Sequence, residues 1–483
     1  MHRDFEIARR RFSRSAWAAF VVLGLSACAS MQEIGPQAAL RDAASLGLPI
    51  QSSAGVMPNA QWWRELGDEQ LNGLIDQALA ANPSLKIAQA RLARAQAGAA
   101  ATEAANGPQL SAGVDAMRQK FTANGMIPPP LAGSMAETGT AQLSGNWELD
   151  FFGKNRAALA AALGSARAAQ ADADAARTLL ASTVARNYFQ LTRLHAQLAL
   201  AQRLLAQRTQ VLRLVQQRLD AGLDTQLELR LSEGTLPDAR LQIEALQEQI
   251  TLTTHALAAL IGQPNRALAL ALPSQTAIKI VAPTTVSADL LGRRADIAAA
   301  RWRVEAASQD VASAKSQFYP NVNLVAFAGF SSIGLDRLLS AGSEQWGVGP
   351  ALRLPLFDGG RLRANLRGKT ADLDAAIESY NAAVIDAVRD VADQLASTQA
   401  VTRQQAEQRA AQDSAEHAYA IATRRYGAGL GNLLSVLAAE TAVLSQSRQG
   451  IDLSARARDT QVSLMRALGG GYRAELPAAT AQK

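Results

Sequence analysis

Cysteine occurs once in the 483 residues, as Cys28, so no intrachain disulfide can brace the fold and packing or assembly must do so. Long apolar runs are missing too. Ala16 to Leu25 falls well short of the roughly 20 residues a membrane-spanning helix requires, and no later segment reads as one. There is no Gly-Lys-Ser/Thr phosphate loop, and His2, His195, His255 and His417 are too scattered for metal-ligand spacing. No nucleophile, base and orienting group stand at a recognisable spacing, so a hydrolase is the weakest reading, and neither cofactor nor metal is expected. A lasting basic excess is absent as well. Half of the net charge of +6 comes from residues 1–27, where Arg3, Arg9, Arg10, Arg11 and Arg14 face only Asp4 and Glu6, and a nucleic-acid partner loses most of its support with them.

That basic start, the apolar stretch behind it and Leu25-Ser26-Ala27-Cys28 form a secretory signal with a small-residue cleavage region. Leu-Ser-Ala-Cys resembles a bacterial lipobox, which implies cleavage before Cys28 and lipid attachment to it. Ala29, rather than an aspartate, is similar to lipoproteins sorted to the outer membrane. The alternative is a buried, inert thiol.

A chain of this length exceeds the roughly 250 to 300 residues at which one hydrophobic core stops growing. The excess is a duplication. A shift of 212 places Ala88 on Ala300, Arg91 on Arg303, Ala95 on Ala307 and Pro108 on Pro320. A shift of 207 places Gly153 on Gly360, Gly222-Leu223 on Gly429-Leu430 and Gly262 on Gly469. The first half therefore carries five extra residues, expected in a loop around Gly125 to Pro130.

Each half reads as a helix, a strand pair and a long helical pair. Between Thr140 and Asp150, Ala141, Leu143, Gly145, Trp147 and Leu149 alternate with polar residues. Weaker alternation recurs at Leu110, Ala112, Val114 and Ala116, at Val322, Leu324, Ala326 and Ala328, and at Trp346, Val348, Leu352 and Leu354. The strands are expected at about 109–121, 138–150, 321–330 and 345–355. This length suits a tilted transmembrane strand and equally a soluble sheet with one buried face. Four strands cannot close a barrel, so in a bilayer several chains would have to share one.

Two proline-free stretches of 68 residues lie between Gly153 and Gly222 and between Gly360 and Gly429, each about 100 Å long if helical. Leu191, Leu198, Leu205, Leu212 and Leu219 recur at coiled-coil spacing, with Leu194, Ala201 and Val215 three places on from Leu191, Leu198 and Leu212. Gly234 and Pro237 stand where the second half has Thr441 and Leu444, which predicts a kink or break near residue 235 in the first repeat alone.

Trp62-Trp63, Asn82-Pro83, Leu290-Leu291-Gly292-Arg293-Arg294-Ala295-Asp296, Pro355-Leu356-Phe357-Asp358-Gly359-Gly360, Arg425-Tyr426-Gly427-Ala428-Gly429-Leu430 and Ala467-Leu468-Gly469-Gly470-Gly471 together resemble the TolC-like outer membrane factors. With the lipobox they are similar to the OprM or NodT type of efflux lipoprotein, over about Trp62 to Tyr472. The resemblance implies a mainly α fold with a membrane β-barrel. Three subunits would each give four strands to one twelve-stranded barrel and their long helices to a periplasmic α-barrel. It also implies a homotrimer in contact with outer membrane lipids, a periplasmic adaptor (membrane fusion) protein, and an inner-membrane pump of the resistance-nodulation-division class. The expected function is a passive outer-membrane conduit for drugs or other small molecules. The expected organisation is a signal peptide (1–27), a lipid-anchored segment (28–70), a first efflux repeat (71–275), a linker (276–290), a second repeat (291–472) and a flexible tail (473–483).

The helix-to-helix turns at Gly222, Leu223, Asp224 and Thr225 and at Gly429, Leu430, Gly431 and Asn432 are by resemblance the adaptor-docking tips. Arg218, Asp224, Glu228 and Tyr426 are gate candidates, and Leu434 is a candidate hydrophobic constriction. Three departures from the family pattern stand out. Ala438 occupies the position of a common aspartate, which removes an acidic ring, and Glu440 would face another way on a helix. Arg294-Ala295-Asp296 and Ala300-Arg301 replace commoner pairs, a change expected to loosen the start of that helix. A conduit for secreted polypeptides and a non-channel scaffold on the outer membrane remain as alternatives.

Overall fold

A computed structural model describes residues 34–41, 59–264 and 293–473. Cys28, the linker 276–290, Leu290-Leu291-Gly292 and residues 474–483 of the tail lie outside them. The elements run α1 (Glu69–Ala81), α2 (Pro83–Ala105), β1 (Gln109–Lys120), β2 (Met135–Leu149), α3 (Lys154–Asp220), α4 (Gln226–Leu260), α5 (Ala295–Ser316), β3 (Asn321–Ile333), β4 (Glu344–Arg353), α6 (Arg361–Gly427) and α7 (Leu433–Ala467). The duplication is plain in this order. The two long helices α3 and α6 have 67 residues each, and their partners α4 and α7 have 35 each. The Gly125 to Pro130 segment falls in the connection between β1 and β2.

The chain forms two units. One contains Leu92–Ala169 and Ala300–Tyr380 with described residues 34–40. Its sheet is antiparallel and ordered β1-β2-β3-β4, two hairpins side by side, so β1 and β4 are open edges. The register explains the alternation seen in the sequence. Ala112, Leu143, Ala328 and Trp346 form one row across the strands, and Leu110, Gly145, Ala326 and Val348 form the next. Both rows are apolar from edge to edge. On the other face Gly113, Gln142, Gly329 and Gln345 make a row, with Gln345 donating to Gln142 at 2.9 Å. The apolar face is left bare: Trp346 is 79% and Val114 78% exposed. A soluble sheet would bury such a face, whereas a membrane strand presents it to lipid. Aromatic residues gather where the strands end, with Phe151 and Phe357 exposed and Phe152 stacked on Tyr319 at 5.1 Å.

In the same unit Val304, Val311 and Ala314 of α5 pack on Leu366, Leu373 and Ile377 of α6, and Ile34 and Ala38 rest against that cluster. The Asp374 carboxylate accepts the backbone N–H groups of Gln37 and Ala38 at 2.9 and 3.0 Å. The segment before α1 is thereby strapped along α6.

The second unit contains Arg41–Arg91, Gln170–Ala299 and Asn381–Lys483, within the described residues. Its main core gathers Trp62 and Trp63 with Leu71, Leu74 and Ile75 of α1, Val184, Tyr188 and Leu191 of α3, Leu257 of α4 and Val462 of α7. The tryptophans meet edge to face. Asp68 caps α1 through the N–H groups of Gln70 and Leu71 and accepts the Tyr188 hydroxyl at 2.8 Å, tying α1 to α3. Of the heptad positions, Leu191, Leu194, Ala201 and Val215 are buried, and Leu198, Leu205, Leu212 and Leu219 pack partly buried beside them.

One expectation is corrected. Of the kink or break expected near residue 235, the break does not occur: α4 runs from Gln226 to Leu260 with Pro237 inside it. Leu229, Ser232, Leu236 and Ala239 line its buried face, and the Arg208 side chain donates to the Thr235 carbonyl at 2.8 Å. Tertiary packing thus outweighs the roughly 3 kcal/mol a proline costs an isolated helix. The residues around Ala295 at the start of α5 are tied down. Arg294 grips Asp296 through two contacts of 2.7 and 3.1 Å and reaches Asp390 at 3.5 Å, while Asp296 accepts the Ile297 N–H. The strand ends also move slightly, since β2 begins at Met135 and β3 extends to Ile333.

Candidate functional site: the helix-turn tips and their polar cluster

α3 and α6 end in the same way. Gly222 and Gly429 take φ of 70° and 74°, a left-handed conformation that glycine adopts without strain. The next residue reaches back to close each helix, Leu223 N–H to the Arg218 carbonyl and Leu430 N–H to the Arg425 carbonyl, both at 2.8 Å. The following helix starts on a side-chain cap. Thr225 and Glu228 form a reciprocal capping box at α4, and Asn432 accepts the Ser435 N–H at α7. Leu223, Leu227, Leu430 and Leu434 are left exposed, by 62 to 69%. The two turns therefore present matching pairs of bare leucines at positions related by the shift of 207.

Beside these turns three of the gate candidates come together. Arg218 makes a two-pronged contact with Asp224, Nε to Oδ2 at 3.0 Å and Nη2 to Oδ1 at 3.2 Å. Its remaining amino group donates to the Tyr426 carbonyl at 3.1 Å. The Tyr426 hydroxyl donates to the Asp224 carboxylate, and the Arg218 guanidinium lies over the Tyr426 ring, 4.6 Å from its centroid. Tyr426 is 1% exposed, packed among Val211, Val215, Leu229, Leu433 and Val436. Burial pushes the Asp224 carboxyl up, but hydrogen bonds from Arg218 and Tyr426 outweigh it and hold the group below the usual carboxylate range. Burial and the Asp224 hydrogen bond raise the Tyr426 phenol far above its ordinary value, so it stays a donor.

Glu228 does not join this cluster. Its carboxylate binds Thr225, and those bonds, the Thr225 hydroxyl first, lower its pKa. Leu434 is exposed on the same side of α7 as Ala438, whereas Glu440 is buried on the opposite side with Leu433 and Val436. The cluster has no counterpart in the other repeat, because Leu219 stands at the position of Tyr426 and Gly431 at that of Asp224.

Sequence reasoning passed over one constellation here. Arg208 of α3 pairs with Glu440 at 3.1 Å, with side chains 15% and 6% exposed. Its signal was the spacing Leu433, Val436, Glu440, which puts an acid on the buried stripe of a helix. No group of residues able to hold a metal ion occurs among the described residues.

The outer membrane efflux protein family matches residues 74–263 and 286–470, one match to each repeat. The multidrug resistance outer membrane protein MdtQ of Escherichia coli O6:H1 is 32% identical over 464 residues, covering 94% of this chain and 97% of that protein. Its relative MdtP of Escherichia coli K12 is 34% identical over 438 residues, with 88% and 89% covered. Among solved structures, the outer membrane protein VceC of Vibrio cholerae superposes with a TM-score of 0.81 at 37% identity, covering 86% of this chain and all of that one. The Campylobacter jejuni outer membrane channel CmeC shares the fold, with a TM-score of 0.81 at 22% identity.

Proposed function

Because the chain belongs to the outer membrane efflux protein family and is an outer-membrane channel of an efflux system, we propose that it is a passive, gated conduit for drug-like small molecules, carrying out no catalysis itself. The observation that carries this reading is the sheet. Four strands with a bare apolar face and two open edges leave backbone groups unpaired, each costing several kcal/mol in lipid. Closure by identical copies removes those edges. Three copies make a twelve-stranded barrel whose inner wall is the polar row of Gln142 and Gln345 and whose outer wall meets the lipids.

The partners proposed are a periplasmic adaptor and an inner-membrane pump of the resistance-nodulation-division class. The exposed leucines flanking Gly222 and Gly429 offer the adaptor two similar apolar contacts per subunit. The Arg218, Asp224 and Tyr426 cluster holds the tips shut, since separating α3 from α6 breaks the Tyr426 contacts with both Asp224 and Arg218.

Residues 1–27 are removed and Cys28 carries lipid. The strap supports this. Gln37 and Ala38 sit at Asp374 and Arg41 binds Asn381, so the segment runs in the same sense as α6 and its upstream end heads for Arg361, just beyond β4. Asp374 to Arg361 is about 20 Å of helix. The nine residues from Gln37 back to Cys28 reach up to roughly 30 Å, enough to bring the lipid to the aromatic strand ends.

Single-channel conductance of the full-length protein in a planar bilayer tests the proposal. A pore that widens with Asp224→Ala plus Tyr426→Phe supports a gated conduit, and absence of conductance from folded protein in both forms overturns it. Palmitate labelling of the wild type but not of Cys28→Ala tests the anchor.

A further inference from the structure

Ten residues before Arg218 on α3, Arg208 ties its own helix to two others. Its Nε lies 3.1 Å from the Glu440 Oε2 of α7, and its Nη1 donates to the Thr235 carbonyl of α4 at 2.8 Å. Along α3 the pair separates two apolar clusters, one around Val211 and Val215 towards the turn and one around Leu194 and Ala201 away from it.

An apolar filling would hold this seam at least as well, because dehydrating two charges often costs more than their attraction returns. Burial in fact pushes the Glu440 carboxyl above the usual carboxylate range in spite of Arg208. Nor does the fold demand the pair. The shift of 207 puts Ala415 at the position of Arg208, and Glu233, the counterpart of Glu440, bonds instead to Arg230 of its own helix. Both the Arg208 pair and the tip cluster lie where α3 meets second-repeat helices, and each occurs once.

What an ion pair supplies there is reversibility. Parting an apolar seam exposes hydrocarbon to channel water, whereas parting Arg208 from Glu440 returns two charges to their hydration. We infer that Arg208 and Glu440 form a second latch of the closed channel, which limits how far the second-repeat helices swing once the tip cluster has been released. The inference rests on reading that cluster as the gate. Loss of one charge-assisted hydrogen bond shifts an open-closed equilibrium by about tenfold or more, a size that conductance records resolve.

The test uses the full-length protein in planar bilayers, with Glu440→Gln, Arg208→Gln and the exchanged pair Arg208→Glu plus Glu440→Arg, each alone and combined with Asp224→Ala. Thermal melting verifies that each is folded. With the tips loosened, either glutamine variant is expected to raise the open fraction about tenfold beyond Asp224→Ala alone, and the exchanged pair, which restores the ion pair but not the bond to the Thr235 carbonyl, to return it part of the way to the Asp224→Ala level. Equal records for Asp224→Ala with and without Glu440→Gln would overturn the second latch. A silent Asp224→Ala beside an active Glu440→Gln would instead overturn the tip gate and leave the Arg208 pair as the latch.

Discussion

The Arg218 guanidinium lies 4.6 Å above the Tyr426 ring while both side chains bind one Asp224 carboxylate, although Arg218 and Tyr426 stand 208 residues apart. Arg218 comes from the end of α3, Asp224 from the turn that follows it and Tyr426 from the end of α6, so the contact links the two repeats.

Removing the shared acceptor should cost most. Asp224→Ala leaves a largely buried Arg218 without its ion pair, at about 2 kcal/mol, less than for a fully buried pair because some solvent reaches both groups. Tyr426→Phe removes one hydrogen bond to a charged group and should cost about 1 to 2 kcal/mol. Both are expected to raise the open fraction in conductance records in that order, and equal effects would contradict the shared-acceptor geometry.

The cluster also sets a pH limit. Asp224 is held below the usual carboxylate range in the folded chain, so its stabilising contribution is present above the unfolded value of about 3.9 and is lost as pH falls through the lower folded value. Closed-state conductance should stay flat on acidification to about pH 4 and rise below it. A rise that survives in Asp224→Asn would assign the effect elsewhere.

The two faces of β4 should tolerate charge differently. Val348→Lys puts an ammonium on the apolar face and should destabilise the assembled barrel by about 2 kcal/mol or more near mid-membrane, while Gln345→Lys, on the polar face, should change it little. Urea unfolding of the protein from outer membranes measures both.

The strap offers a local test. Asp374→Ala removes the acceptor for two backbone N–H groups, about 1 kcal/mol for each bond. Limited proteolysis should then cut near residues 34–41 while the sheet and the α6 packing persist, and an unchanged cleavage pattern would show that Ile34 and Ala38 hold the segment without it.

What the sequence determined by itself was whatever depends on neighbours in the chain. Period-two alternation placed four strands and the correct apolar face. The absence of proline marked α3 and α6 to within a residue or two, and Gly222 and Gly429 marked their ends, because backbone geometry alone requires a left-handed residue there. The gathering of Arg218, Asp224 and Tyr426 was legible only as residue types near two turns, and Glu228, equally acidic and equally near, proved to cap its own helix. Tertiary structure alone decided what depends on distant partners. It carried α4 through Pro237, since the packing of its buried face outweighs the loss of one backbone N–H, and it paired Arg208 with Glu440 across 232 residues. It also left the apolar face of the sheet uncovered, and that single fact separates a membrane wall from a soluble sheet with the same alternation.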